Sequence, residues 1–440
     1  MTWVLTAGLG LLTLLGEPLF VIIAAITLIG FGIAGLHQDQ TLIDSFSNLY
    51  SEMVKIAEQP MFLAIPMFTF AGYLMAEAKT STRLVNLTRA LVGWLPGGIA
   101  VVALIACAFF TVFTGVSGVT IIALGGLLLP ALVKEGYPER FTLGLLTTGG
   151  SRGMLFPPSL PIIIYGVIAQ TDINKLFVAG VVPGILDLSV AVALSIWLGS
   201  RAKVARTPFA PQAALTALRE AAWELPIPFI IFGGIYGGIF TADQAAVVVA
   251  LYVFLVEVFA YKDLSLVRDI PRVVRESMVL VGGIFVIIGT ALGLTNLLVL
   301  QNVPGHLFRA IRPFIRSPLT FLIALNFFLL IVAALLDVFS AILVVLPLIL
   351  PIAARYGINP YQLGVVFLMN LEIGYSLPPM GLNLFVASFR FNRPILALYR
   401  STVPFLIATL LVLVLVTYVP AVSLGLLGAL HMGTSATALP

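Results

Sequence analysis

The chain carries little charge. Asp, Glu, Lys and Arg make up 10% of its 440 residues, against the roughly 25% usual in soluble domains. It has one cysteine, Cys107, and three histidines, His37, His306 and His431, all near the ends of apolar runs. A single cysteine excludes an intrachain disulfide and any metal site built on several thiolates. With no histidine in the middle of an apolar run, a membrane-embedded serine hydrolase lacks its base. The pI of 9.2 comes from Lys and Arg at helix ends, where they set topology. It does not call for nucleic acid as a partner.

What the chain has in abundance is apolar surface: 60% hydrophobic residues and a mean hydropathy of +1.12. A spanning helix needs roughly 20 apolar residues, and apolar blocks recur from 2–15 through 97–130 and 319–351 to 395–416. The chain therefore reads as an all-α polytopic membrane protein, with membrane lipids around it. Residues 1–15 show neither a basic leader nor a small-residue cleavage site, and read as a short helix.

One apolar run is interrupted in an unusual way. GGSRGMLFPPSLPIIIYG, residues 149–166, holds four glycines, three prolines and an arginine. Proline lacks a backbone donor and clashes with the preceding turn, and glycine costs backbone entropy, so both break helices. In a bilayer an opened backbone survives only where protein or a water-filled cavity supplies partners. Shifting the chain by 221 residues aligns Pro130 with Pro351, Gly153 with Gly374, Pro157-Pro158 with Pro378-Pro379, and Pro183 with Pro404. The partner of the first break is thus GYSLPPMGLNLFVASFR, residues 374–390. Paired, interrupted hydrophobic segments in two halves point to a transporter site at the repeat interface.

Orientation follows from Lys/Arg counting. The basic linkers 79–89, 134–140, 201–219, 262–275 and 390–400 all fall in the cytoplasm only if 97–130 is a re-entrant hairpin, turning at FTGVSGVT (113–120). By the repeat, 319–351 is a second hairpin that turns at LLDVFS (335–340) and opens to the opposite side. Sixteen Lys/Arg then lie inside and six outside, with Arg152 at membrane depth. Arg309, Arg312 and Arg316 run against the rule and read as an amphipathic helix on the outer surface, matching 81–91 inside. The expected fold is a pair of inverted repeats, each with a re-entrant helical hairpin and an unwound transmembrane helix. The first repeat covers 60–223, with hairpin 95–133 and unwound helix 138–170. The second covers 281–430, with hairpin 318–353 and unwound helix 361–390. N-terminal helices (1–59) precede the repeats and scaffold helices (224–280) link them.

Unwound carbonyls and half-helix ends supply cation ligands without charged side chains, and half-helix N-termini favour anions. Two such places suggest two cation sites flanking an anionic substrate. Arg152 has the planar fork that matches a carboxylate. It is the expected substrate ligand, with Ser151, Ser159 and Asn383 beside it. The structural alternative is a pair with an acid such as Glu372, which the repeat sets opposite Ser151. Asp337 reads either as a cation-site residue or as a hydrogen-bonded hairpin cap, and Asp187 as a packing or partner contact. Asn326 and Asn370 either line the cavity or bond between helices.

These residues resemble a known family. LFPPSLPIIIYGVIAQTDINKLFVAGVVPGIL, GINPYQLGVVFLMNLEIGYSLPPMGLNLFVASF and PFIIFGGIYGGIFTADQAAVV are similar to the large membrane (M) subunit of tripartite ATP-independent periplasmic (TRAP) transporters, DctM-like members of the ion transporter superfamily. The likeness runs over roughly 60–420. It departs at Thr241-Ala242-Asp243-Gln244, where the family more often reads Thr-Pro-Thr-Glu. It also departs at Leu377, where a small hydroxylated residue is common, and at Arg152 in a stretch that is usually uncharged. The resemblance implies Na⁺-coupled uptake by an elevator mechanism, with Na⁺ as coupling ion and no other cofactor. It implies a small four-helix membrane (Q) subunit and a periplasmic substrate-binding (P) protein that delivers an organic acid, of which a C4-dicarboxylate is favoured. Carried over by motif, the first Na⁺ site uses Ser117, Thr120, Gly153, Phe156 and Pro158. The second uses Asp337 at the hairpin tip with Gly374, Leu377 and Met380.

Rival readings have their own features. GVSG, residues 115–118, matches the Gly-x-Ser-Gly of intramembrane serine proteases, but no base accompanies it, and an enzyme is not expected. A stand-alone divalent-anion/Na⁺ symporter of similar architecture needs no binding protein. A channel fits poorly with paired, charge-poor breaks flanked by hairpins.

Overall fold

The computed structural model describes residues 19–36, 47, 50, 51, 54, 60–95, 97–201, 210–379 and 381–433. The reading of 1–15 as a helix, and Met380, lie outside the described residues. Among those described, every regular element is a helix. In chain order they are α1 (Leu19–Leu36), α2 (Ala64–Glu77), α3 (Thr80–Val92), α4 (Gly98–Thr114), α5 (Ser117–Lys134), α6 (Glu139–Gly149), α7 (Leu160–Ile168), α8 (Ile173–Arg201) and α9 (Pro211–Glu220). There follow α10 (Pro226–Tyr236), α11 (Ala242–Leu255), α12 (Asp269–Leu300), α13 (Val303–Ile311), α14 (Pro318–Leu335), α15 (Val338–Arg355), α16 (Pro360–Gly374), α17 (Leu382–Phe391), α18 (Ile395–Tyr418) and α19 (Ala421–Ala429). Seven helices in the described residues are long and apolar enough to cross a membrane.

Local chemistry sets the ends. Helices α9, α10, α13, α14 and α16 each open on a proline at their first or second residue, where the missing N–H costs nothing. Thr241 and Gln244 form a capping box on α11, and Ser317 caps α14 by accepting from Thr320 N at 3.2 Å. The hairpin turns at Gly115–Val116 between α4 and α5, and at Leu336–Asp337 between α14 and α15.

The internal duplication is visible helix by helix. Adding 221 to Ser117–Lys134 gives Val338–Arg355, the bounds of α15. The same shift carries α3 onto α13, α4 onto α14, α6 and α7 onto α16 and α17, and α8 onto α18, within a few residues. The repeats also exchange partners. Helix α7 packs on α15 of the other repeat, and α17 packs on α5; α6 packs on α18, and α16 on α8. Among the described residues there are two large apolar cores and a small third cluster around Leu87, Ala217 and Ala221. Of the large cores, one is built around α2, α7, α11, α15 and α16, and the other around α4, α5, α6 and α17. Large apolar side chains such as Phe229, Phe327 and Phe389 face outward, as lipid contact demands.

At one edge, α3 is tied down by charge. Arg83 reaches Glu224, Glu257 and Asp263, with Nη2 2.9 Å from Glu257 Oε2, and its guanidinium lies 3.7 Å from the Tyr261 ring centre. Burial opposes the Arg83 charge, but the three carboxylates outweigh it and hold its pKa above the ordinary arginine value. Arg89 pairs with Glu135 at 2.8 Å. Every arginine of α3 therefore has an internal counter-charge.

Candidate functional site

Both interrupted segments are broken where the prolines and glycines predict. Between α6 and α7, residues 150–159 run as successive tight turns, with Met154 N–H donating to Ser151 O at 3.1 Å and Phe156 N–H to Gly153 O at 3.1 Å. Between α16 and α17 the second break does the same, with Leu377 N–H donating to Gly374 O at 3.0 Å. Each proline pair, Pro157-Pro158 and Pro378-Pro379, is joined by a cis peptide. Each break lies hard against its own hairpin. A Cβ on Gly153 would sit 2.4 Å from Ala108 O and 2.7 Å from Val112 N, on the backbone of α4. A Cβ on Gly374 would sit 2.1 Å from Ala333 Cβ on α14. Only glycine permits either approach.

At the first hairpin tip, uncharged oxygens gather. Thr111 Oγ1 lies 2.7 Å from Thr120 Oγ1 and donates to Gly150 O at 2.7 Å; Thr114 Oγ1 lies 3.5 Å from Thr120 Oγ1. Ser117 Oγ is buried with no hydrogen-bond partner among the described residues. Thr120 and Gly153 thus both lie against Thr111, and the Ser117 carbonyl lies beside Gly150; Thr111, Thr114 and the Gly150 carbonyl are neighbours that the carried-over set did not include. Their signal was a hydroxyl on each turn of α4 leading into the tip. Phe156 is turned differently: its ring packs on Gly184 and, with Pro157, lines an apolar pocket of about 240 Å³. Its carbonyl accepts from Ser159 N–H at 3.0 Å and keeps a second lone pair free. Pro158 is buried.

The second tip is organised around a cap. Asp337 accepts from Phe339 N at 3.0 Å, Ser340 N at 3.2 Å and Ser340 Oγ. The structure shows Asp337 in the hairpin-cap role, where an N-cap carboxylate satisfies donors that α15 would otherwise leave orphaned. The Val338 N–H donates to Tyr375 Oη at 2.7 Å, so the tip is also tied to the second break, an anchor that sequence reasoning missed. The Leu377 carbonyl accepts from Gly381 N–H at 3.0 Å. Among the described residues no three His, Cys, Asp or Glu side chains are grouped to hold a metal. A cation at either tip would meet hydroxyl and carbonyl oxygens, the ligands of hard ions.

The two breaks meet each other. Asn383, at the start of α17, donates through Nδ2 to Ser151 Oγ at 3.3 Å. Asn383 Oδ1 and the hydroxyls of Ser159 and Ser376 are buried without a hydrogen-bond partner among the described residues. Asn383 is the second residue of α17, so the positive end of that helix lies at this contact.

Arg152 stands apart from that arrangement. It is 2% exposed. One guanidinium nitrogen bonds the Asp187 carboxylate of α8, and Nη2 donates to Thr409 Oγ1 of α18 at 3.1 Å. Glu372 interacts with both charges. The expected substrate ligand is thus held in a buried ion pair, directed toward α8 and α18 while its neighbour Ser151 faces α17. The direct partner is Asp187, not Glu372, and Asp187 is more than a packing contact. The physical reason is plain: an unpaired guanidinium at this depth costs far more than a paired one. Asn370 donates to Asn326 Oδ1 at 2.8 Å, and Asn326 to Thr417 Oγ1 at 3.1 Å, so these two asparagines bond between helices.

Two hairpins whose tips abut two broken helices, set among span-length apolar helices, define a multi-pass membrane transporter. The chain belongs to the family described as "Tripartite ATP-independent periplasmic transporter, DctM component", which matches residues 6–422. It is the large permease component of a TRAP transporter, an inner-membrane protein and not an enzyme. In this family that component works with a small membrane subunit and a periplasmic binding protein. The chain is 36% identical over 387 residues to the C4-dicarboxylate TRAP transporter large permease protein DctM of Pseudomonas aeruginosa, covering 87% of this chain and 90% of that one. It is 30% identical over 430 residues to the ectoine TRAP transporter large permease protein TeaC of Halomonas elongata, covering 96% and 98%. The YdaH transporter of Alcanivorax borkumensis shares the fold, with a TM-score of 0.64 at 15% identity over 92% of this chain and 98% of that one.

Proposed function

We propose that this chain carries out Na⁺-coupled uptake of an organic acid anion, delivered by a periplasmic binding protein, with the paired hairpins and broken helices moving the site across the bilayer as an elevator. The observation that supports this most is the Ser151–Asn383 contact. It ties the first break to the N-terminal end of α17, where Asn383 Oδ1 is buried without a hydrogen-bond partner among the described residues. An anion there meets neutral donors and the positive end of α17, with Arg152 held in its pair with Asp187. The hydroxyl cluster of Thr111, Thr114, Ser117 and Thr120 with the Gly150 carbonyl suits Na⁺. A C4-dicarboxylate is the favoured substrate, in line with the names of the Pseudomonas and Rhodobacter capsulatus relatives. The test is uptake into proteoliposomes holding this chain and its small subunit, with the binding protein outside. Uptake that needs both an inward Na⁺ gradient and the binding protein supports the reading. Undiminished uptake with choline in place of Na⁺ rules out the coupling, and full uptake without the binding protein favours the stand-alone symporter.

A further inference from the structure

Helix α13 carries Arg309, and the turn and loop after it carry Arg312 and Arg316. With Arg355, the last residue of α15, they line an open cleft of about 1030 Å³ between α13 and the second hairpin. The floor is rigid and aromatic. Tyr356 stacks on Phe321 with ring centres 4.7 Å apart, meets Phe308 at 5.5 Å, and donates to Ile315 O at 2.7 Å. The Arg355 guanidinium lies 4.8 Å from the Phe308 ring centre.

Charge makes this cleft unusual. Among the described residues no acidic side chain lines it. The polar partners seen for its arginines are neutral: His306 for Arg309, at 3.1 Å, and the Pro313 carbonyl for Arg316, at 3.2 Å. The counterpart helix α3 is the internal control, since its arginines are matched by Glu224, Glu257, Asp263 and Glu135. By the topology above, six Lys/Arg lie on the outer face, and four of them line this cleft. Like charges gathered against the positive-inside trend repel one another unless an anion from outside sits among them.

The cleft's height in the fold identifies that anion. Span-length helix α14 begins at Pro318 and α15 ends at Arg355, so the cleft opens at the boundary between hydrocarbon and water. Beside it Phe314 is 86% and Leu319 56% exposed. A cationic cleft with a bare apolar rim matches an amphiphile: phosphate in the fork of the guanidiniums, acyl chains along the rim. The acidic face of a soluble protein has no use for that rim. We propose that this cleft is a binding site for the phosphate headgroup of an anionic phospholipid of the outer leaflet, gripped by Arg309, Arg312, Arg316 and Arg355.

The test follows the melting temperature of the purified protein in neutral detergent as phosphatidylglycerol, phosphatidylcholine or inorganic phosphate is added. A ligand that binds only the folded state raises Tm. Phosphatidylglycerol should raise it by several degrees, phosphatidylcholine little, and inorganic phosphate at equal phosphorus concentration little. An R312Q/R316Q double variant and an R355Q variant should each melt like the unsubstituted protein in phosphatidylcholine and lose more than half of the phosphatidylglycerol increment. Three results overturn the proposal. In the first, the variants keep the full increment. In the second, inorganic phosphate reproduces it, which marks a site for free anions. In the third, the variants keep the lipid response and instead lose capture of the periplasmic binding protein, which marks a protein docking face.

Discussion

Ser151 and Asn383 lie 232 residues apart in the chain and share a hydrogen bond of 3.3 Å. They are not equivalent positions: the 221-residue shift sets Ser151 opposite Glu372 and Asn383 opposite Ile162. The contact ties the first break to the start of α17, directly after the second break.

Replacing Asn383 by Leu keeps the branched shape and the number of side-chain heavy atoms and removes both polar atoms. A lost neutral hydrogen bond costs about 1 kcal/mol of stability, so expression and Tm should stay near normal. Uptake should fall at least roughly tenfold, because a site that hydrogen-bonds its ligand rejects the loss of a partner strongly. Initial rates in proteoliposomes, set beside the melting curve, check both halves. A variant that transports normally would remove Asn383 from the site.

Arg152→Gln should behave differently. It strands Asp187 and Glu372 without their counter-charge, and breaking a buried pair by removing one partner costs roughly 3–5 kcal/mol. Protein levels and Tm should drop sharply. The double variant Arg152→Gln, Asp187→Asn removes the charge of Asp187 but leaves Glu372, and should recover part of that loss, with uptake retained. Recovery of stability without uptake would return Arg152 to the substrate site.

Thr111→Val tests the cation cluster. Valine fills the space of threonine but cannot donate to Gly150 O or meet Thr120 Oγ1. Loss of about 1.4 kcal/mol of cation binding is a tenfold change in affinity. The Na⁺ concentration for half-maximal uptake should therefore rise by about that factor while the substrate KM at saturating Na⁺ holds. An unchanged Na⁺ dependence would take the first cation site away from this tip.

Much of this architecture was legible because it is written in local chemistry. The breaks follow from Gly and Pro, and the duplication from prolines 221 residues apart, which anticipate helix bounds as well as positions. Asp337 preceding Ser340 is a short-range capping pattern, readable as one of two choices. What could not be read was the rotation of one helix against another. Asp187 lies 35 residues from Arg152, and only the packing of α8 beside the first break decides that it, and not Glu372, takes the guanidinium. Thr111 escaped for the same reason: it lies one helical turn before the tip, and its orientation toward Gly150 depends on how α4 meets the break.

The two close-packed glycines should respond differently to the same substitution. At Gly374 the nearest obstacle to a Cβ is the Ala333 side chain, at 2.1 Å, with the Ala333 backbone carbons at 2.7 and 2.9 Å. At Gly153 two of the three obstacles are backbone, Ala108 O at 2.4 Å and Val112 N at 2.7 Å. Either glycine changed to alanine must push its hairpin off its break, at a cost of roughly 1–3 kcal/mol for overpacking, and should lower both Tm and uptake. Gly374→Ala has a partial remedy, because Ala333→Gly removes the nearest of its clashing atoms. The Gly374→Ala, Ala333→Gly pair should regain part of the lost Tm and part of the uptake. No side-chain deletion offers the same relief to Gly153→Ala, since atoms of the peptide chain itself stand in the way. Melting curves and Na⁺-driven uptake of the three variants decide the matter. Equal tolerance of alanine at both positions would mean that the hairpins do not seat on the breaks as described.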